Sequence, residues 1–200
     1  MGVEIEAKFR LTDPGTLIAR LASRDAQRVA LIHEINTYLD TADHDLKRTD
    51  RGLRVRIERV DGQPERVVIT HKGPRRAGPL KCRQEDECVV ETAESAMATL
   101  RALGYRPVLT FEKRRTRYLL DGCRVEVDEL PLLGWFVEIE GPTTAAVQAV
   151  RADLGLDDAA VLRTSYIAML QAYAAEHRLT DRVVRLDPIV DDNLPLSAAS

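Results

Sequence analysis

Cysteine, histidine and long apolar runs are all scarce in this sequence, and each scarcity removes a class of function. The three cysteines, Cys82, Cys88 and Cys123, have no Cys-x-x-Cys spacing, and an odd number cannot pair fully within one chain. A reducing compartment fits that usage. If Cys82 to Cys88 is a strand, both thiols share the face opposite Arg83, Glu85 and Glu87, and they are expected as small buried hydrophobes. The four histidines, His33, His44, His71 and His177, lack paired ligand spacing, which argues against zinc. No apolar run reaches the length of a membrane span, and a chain charged from Glu4 onward lacks the apolar stretch of a signal peptide. A basic excess is missing too: Lys and Arg number 29 against 32 acids, for a net charge of −3. That balance does not suit a general nucleic-acid binder. The expectation is a cytoplasmic protein without membrane or nucleic-acid partners.

What is present is charge in quantity. Charged residues make up 30% of the 200 residues and hydrophobic ones 44%, enough for the core of one generous domain. In "VEIEAKFRL", Glu4, Glu6 and Lys8 alternate with Val3, Ile5, Ala7, Phe9 and Leu11. Residues two apart on an extended chain share a face. A single stretch of this kind is most simply the solvated outer face of a half-buried strand; its repetition along the chain is what needs explaining.

"TDPGTLIARLAS" has the start signals and spacing of a helix. "HEINTYLDT" and "RGLRVRIERV" alternate again, the second joined through the turn "DGQP" to "ERVVITHKG". A Gly- and Pro-rich loop, "GPRRAGPL", leads into "KCRQEDECVVE", and a helix follows with Thr92 near its start and Gly104 past its end. "LTFEKRRTRYLL", "CRVEVDEL" and "WFVEIEG" complete eight strand-like runs, and "TTAAVQAVRADLG" and "RTSYIAMLQAYAAEH" read as helices. Residues 1–178 are expected as one domain, and residues 179–200 as an extended or disordered tail.

The charged faces are dominated by Glu, Asp and Arg, where a merely solvated face would mix in Ser, Thr and Gln. Eight antiparallel strands with helices between them can close into a barrel, which removes exposed edges and creates an inside. The predicted fold is therefore α+β: a closed eight-stranded antiparallel barrel, or tunnel, with helices on its outside and charges pointing inward. Inward acids would be Glu4, Glu6, Glu85, Glu87, Glu126, Asp128, Glu138 and Glu140. Inward bases would be Lys8, Arg54, Arg56, Lys72, Arg83, Lys113, Arg115, Arg117 and Arg124. Enclosed charges are costly unless matched. A lining of both signs suits a polyanion chelated to a hard cation, with carboxylates on Mg2+ or Mn2+ and Arg or Lys on phosphate oxygens.

The ordered series Glu4-x-Glu6-x-Lys8, Arg54-x-Arg56, Lys72 in "HKGP", Arg83-x-Glu85-x-Glu87, Lys113-x-Arg115, Glu126-x-Asp128 and Glu138-x-Glu140 resembles the CYTH family, the triphosphate tunnel metalloenzymes, from Val3 to about Tyr173. The resemblance implies that Glu4, Glu6, Glu138, Glu140 and Asp128 hold Mg2+ or Mn2+. It implies that Lys8, Arg54, Arg56, Lys72, Arg83, Lys113 and Arg115 grip phosphate, with Lys8 and Lys72 also catalytic, and that Glu85, Glu87 and Glu126 line the tunnel. Arg117 and Arg124 are weaker candidates near strand ends, and Tyr38 and Tyr166 read first as packing residues.

The family implies a triphosphatase acting on ATP, thiamine triphosphate or tripolyphosphate. The alternative is a class IV adenylate cyclase converting ATP to cyclic AMP and pyrophosphate, and a third reading is a non-catalytic triphosphate or polyphosphate sensor. Hydrolysis ranks first because it demands less of the site, and the sensor last because both Glu-x-Glu pairs are intact. A homodimer is left open.

Overall fold

The computed structural model describes residues 2–78 and 80–186, and the alternating runs form strands. These are β1 (Gly2–Leu11), β2 (Gln27–Asp40), β3 (Gly52–Arg59), β4 (Arg66–Lys72), β5 (Lys81–Val90), β6 (Arg106–Leu120), β7 (Cys123–Leu130) and β8 (Gly134–Glu140). They pair in the order β2-β3-β4-β5-β1-β8-β7-β6, and β6 returns to β2, every pairing antiparallel. The barrel is closed as expected.

The closing seam runs from Gln27 opposite Leu119 to Asp40 opposite Arg106, with irregularities at Arg28/Ala30 and Tyr38/Leu39. The first irregularity explains why β2 begins six residues before the alternation becomes readable at His33. A bulge inserts one residue and reverses the parity of everything before it.

Four helices match their start signals: α1 (Pro14–Ser23), α3 (Ala93–Ala102), α4 (Thr144–Asp153) and α5 (Tyr166–Glu176) are capped by Asp13, Thr92, Thr143 and Ser165, each side chain accepting from a backbone N–H of the first turn. A fifth, α2 (Asp45–Arg48), is a single turn too short to leave a periodic signal. It is held instead by the buried Asp40, whose carboxylate accepts from the backbone N–H of Thr41, Leu46 and Lys47 at 2.8, 2.9 and 3.1 Å.

The outward apolar faces bury against these helices. Leu17 and Leu21 of α1 and Val147 and Val150 of α4 pack with Ala7, Phe9, Val125, Val127, Val137 and Ile139. Leu46, Ala96 and Leu100 of α2 and α3 cover Leu39, Leu53, Val55 and Val67. Complete burial of one such side chain stabilises by about 1.5–3 kcal/mol, so these two layers supply much of the force that closes the sheet. The third cluster is different. Tyr166 and Leu170 of α5 meet Leu109, Phe111, Leu130 and Phe136, which share the parity of the inward charges on β6, β7 and β8. Part of the barrel interior is therefore apolar, and α5 packs against it.

A short strand, β9 (Val183–Val184), pairs in parallel with Thr110 and Phe111, beyond the stretch of β6 that β7 covers. The tail expected from residue 179 thus starts against the sheet, and residues 187–200 of that tail lie outside the described residues. Among the cysteines, Cys123 is buried and Cys82 half-buried, but Cys88 is exposed, contrary to the expectation of burial. No helix among the described residues is long and apolar enough to cross a membrane.

Candidate functional site

The inward side chains of all eight barrel strands enclose one cavity of about 910 Å³. Every inward residue expected from the sequence lines it except Asp128; Arg117, Arg124, Tyr38 and Tyr166 line it too. Strand register explains the grouping. On β1, Lys8 faces Glu138 and Glu6 faces Glu140 across the seam with β8, while Glu6 faces Lys81 and Glu4 faces Arg83 across the seam with β5.

These strands make an acidic wall of Glu4, Glu6, Glu138 and Glu140, each acid answered by a cation. Lys8 Nζ lies 3.0 Å from Glu138 Oε1. Lys81 Nζ is 2.5 Å from Glu6 Oε1 and 3.6 Å from Glu4 Oε2. Lys72 binds Glu85 and sits 3.4 Å from Glu4 Oε1, and Arg124 binds Glu140. Burial, then the nearby charges of Glu138 and Glu4, push the Glu6 carboxyl above its ordinary range despite Lys81. Glu140 is raised first by burial, with Glu4 and Glu126 adding to it. Burial alone would raise Glu138 as well, but Lys8 and Arg115 outweigh it and hold it well below that range. Burial likewise works against the charge of Lys81, yet Glu6 and Glu4 together raise it above an ordinary lysine. The two halves of the Lys81–Glu6 pair shift in the same direction because burial first, and then two further acids, act on Glu6 against the pull of Lys81.

A basic wall meets the acidic one where Arg115 Nη2 reaches Glu138 Oε2 at 2.5 Å, and it is organised from behind by two fully buried acids. Glu34 Oε2 lies 3.2 Å from Arg56 Nε and 3.3 Å from Lys113 Nζ, with Arg115 Nε 3.8 Å from Oε1. Burial would raise Glu34, but these three cations pull it far below the usual carboxylate range. Asp128 accepts from Arg115 Nε and Nη2, both at 2.6 Å, from Lys113 Nζ at 3.1 Å and from the Tyr166 hydroxyl at 2.9 Å. Its oxygens are filled by these donors, and Arg115 Nη2 joins it to Glu138, whose Oε2 the same nitrogen reaches at 2.5 Å.

Two members of the site escaped the sequence reading. Glu34 has the parity of Asn36 and Tyr38, a signal that was available. Lys81 has the parity of Arg83 and is nine-tenths buried. Tyr166 was read as packing, yet its ring centroid lies 3.8 Å from Lys8 Nζ and 5.3 Å from Lys113 Nζ.

Three buried polar atoms along the cavity have no hydrogen-bond partner: Arg54 Nε, Arg83 Nε and Glu4 Oε2. Buried donors and acceptors are seldom left unmet, so these atoms are open to water or to a ligand, as are Glu34 Oε1 and Arg151 Nε, which do not line the cavity. Of the three along the cavity, two are cationic donors suited to an anion and one is an anionic acceptor suited to a cation. Among the described residues no three acidic, His or Cys groups converge on a ready-made metal cage. The acids of the wall are turned to Lys and Arg instead. The donor set still fits Mg2+ or Mn2+: hard carboxylate oxygens, one of them unpartnered, crowded enough to raise Glu6.

Comparison with known proteins agrees with this architecture. Residues 2–166 match the CYTH domain family. Adenylate cyclase CyaB of Aeromonas hydrophila is 31% identical over 140 residues, which is 68% of this chain and 67% of that protein. A candidate adenylate cyclase of Methanocaldococcus jannaschii is 28% identical over 138 residues, covering 69% and 76%. The solved structure of the PH1819 protein of Pyrococcus horikoshii superposes with a TM-score of 0.75 at 26% identity, covering 85% of this chain and 99% of that one.

Proposed function

The chain belongs to the CYTH family, and from that premise we propose that it is a divalent-cation-dependent enzyme that binds an organic triphosphate in its barrel and hydrolyses a phosphoanhydride bond. The observation that carries the reading is the pairing of unmet atoms within one cavity: Arg54 Nε and Arg83 Nε for an anion, Glu4 Oε2 for a cation. Arg54, Arg56, Arg83, Lys113 and Arg115 take the phosphate oxygens. The guanidinium forks of the arginines suit phosphate, and Glu34 and Asp128 keep Arg56, Lys113 and Arg115 aimed before substrate arrives. Glu4, Glu6, Glu138 and Glu140 would hold Mg2+ or Mn2+, which would supply positive charge against the negative charge of the triphosphate and its leaving group.

Phosphoryl transfer asks little of a protein beyond position and electrostatics. Lys8 and Lys72 anchor to Glu138 and Glu85 beside the acidic wall, where each can orient a water molecule by hydrogen bonding. Two charges about 4 Å apart are worth roughly 4 kcal/mol at an effective dielectric near 20, so a few such contacts strengthened in the transition state account for a large rate increase. An apolar shelf of Tyr38, Phe111, Val108 and Ile167 also lines the cavity, Tyr38 stacked on Phe111 with centroids 6.0 Å apart. It favours an organic triphosphate such as ATP or thiamine triphosphate over tripolyphosphate.

A second reading is cyclisation of ATP, in which the ribose 3′-hydroxyl replaces water as nucleophile; the names of both curated relatives favour it. Phosphorus NMR of the products formed with Mg2+ or Mn2+ separates the two. Orthophosphate together with a diphosphate ester supports hydrolysis, cyclic AMP with pyrophosphate supports cyclisation, and absence of turnover on every triphosphate sinks both.

A further inference from the structure

We propose that Lys81 is an internal cation standing between Glu4 and Glu6 in the place of a divalent metal, and that it sets the affinity of the acidic wall for that metal. The inference rests on the assignment of this wall as a metal site. Register makes Lys81 the β5 neighbour of Glu6, whose neighbour on the other side, in β8, is the like-charged Glu140. Its Nζ reaches two of the four carboxylates, Glu6 Oε1 at 2.5 Å and Glu4 Oε2 at 3.6 Å.

An ordinary buried ion pair leaves its acids satisfied. Here Glu4 Oε2 is buried without a hydrogen bond, because 3.6 Å is too long for one. The ammonium of Lys81 makes one short contact, and although Lys72 lies 3.4 Å from Glu4 Oε1, the Oε2 that points to Lys81 keeps no hydrogen bond. A hard divalent cation brings twice the charge and accepts several oxygens at once. Entry of the metal must therefore displace Lys81 from Glu6. The flexible lysine stem then leaves its charge in the same cavity, available to the anion. Metal and anion binding become positively coupled through one side chain, and in the absence of both the acids remain neutralised.

The test is Mn2+ binding to the whole chain by electron paramagnetic resonance, without phosphate so that turnover plays no part. Lys81→Met is expected to bind Mn2+ at least ten-fold tighter than wild type, since a nearby unit positive charge repels a divalent cation even when well hydrated and more strongly in a buried site. Lys81→Arg should bind as weakly as wild type, and the rise in melting temperature on adding Mn2+ should be larger for Lys81→Met. Equal or weaker binding by Lys81→Met overturns the proposal, since a lysine that only positions Glu4 and Glu6 would loosen the site on removal. If Lys81→Met loses its far-ultraviolet circular dichroism, Lys81→Gln, which keeps a donor to Glu6, serves for the same comparison. Failure of every variant to bind Mn2+ overturns it equally. Phosphorus NMR on the same preparations tells the two proposals apart: no turnover with tightened Mn2+ binding removes the enzymatic reading and leaves the role of Lys81 intact.

Discussion

The Tyr166 hydroxyl donates to Asp128 Oδ2 at 2.9 Å and so fastens the first turn of α5 to a carboxylate of β7 that also aims Lys113 and Arg115. Burial, then the charges of Asp128 and Glu138, raise the tyrosine well above its ordinary range, so it stays a hydrogen donor. The ring of the same residue supports Lys8. One side chain therefore ties the helix to both walls of the cavity.

Tyr166→Phe removes the hydroxyl and keeps the ring. Asp128 retains Arg115 and Lys113, so the expected cost is about 1–3 kcal/mol, measured by urea denaturation. Tyr166→Ala also loses the ring and its packing against Phe136, for about 3–5 kcal/mol. A Phe variant as stable as wild type would show that Asp128 does not need its fourth donor.

Glu34 is the buried counter-charge of Arg56, Lys113 and Arg115. Removing the charge with Glu34→Gln takes away the counter-charge these three cations share, leaving Lys113 and Arg115 with Asp128 and Arg56 with Glu58, and about 3–5 kcal/mol of stability should be lost at neutral pH. Because the folded-state pKa lies far below the unfolded one, the stabilisation by Glu34 is complete above about pH 4.3 and is lost as acid protonates the group. The acid side of the stability profile should accordingly be flatter in Glu34→Gln than in wild type. Parallel profiles below pH 4.3 would rule out this role.

Glu6 predicts the opposite sign. Its folded-state pKa is raised, so its ionisation opposes folding as pH climbs from the unfolded carboxylate range through the folded value. Glu6→Gln should leave metal-free stability at neutral pH equal to wild type or slightly higher, while abolishing Mn2+-dependent turnover and the Mn2+-induced rise in melting temperature. Wild-type turnover in this variant would remove Glu6 from the metal set.

Strict period-two alternation of charged and apolar residues made the barrel and most of its lining legible in the sequence, because a closed sheet forces every strand to show one face inward. Three features were not legible, each for its own reason. The start of β2 was hidden by the bulge near Val29, which breaks parity. The single turn α2 depends on Asp40 accepting backbone hydrogens up to seven residues ahead, a contact without periodicity. The division of labour among like residues was hidden as well: Asp128 and Glu126 share a face of β7, yet only Glu126 reaches the cavity, because α5 brings Tyr166 over the other.

Arg54 provides the most direct test of anion binding. It is buried, its Nη2 donates to the Thr70 hydroxyl at 3.2 Å, and its Nε points to no acceptor in the protein. The fold already satisfies one end of the guanidinium and leaves the other for a ligand. A charge-assisted hydrogen bond is worth about 1.5–3 kcal/mol, so Arg54→Ala should raise KM for the triphosphate roughly 10- to 100-fold. Arg54→Lys should recover little of this, because an ammonium cannot hold Thr70 and a phosphate oxygen with the spread of a planar fork. Thermal denaturation should separate this loss from unfolding, since the Ala variant keeps the β3 ladder and gives up the contact of the guanidinium with the Tyr38 ring, 6.0 Å from its centroid, and the bond to Thr70. An unchanged KM in a folded Arg54→Ala protein would place the triphosphate elsewhere in the barrel, away from β3.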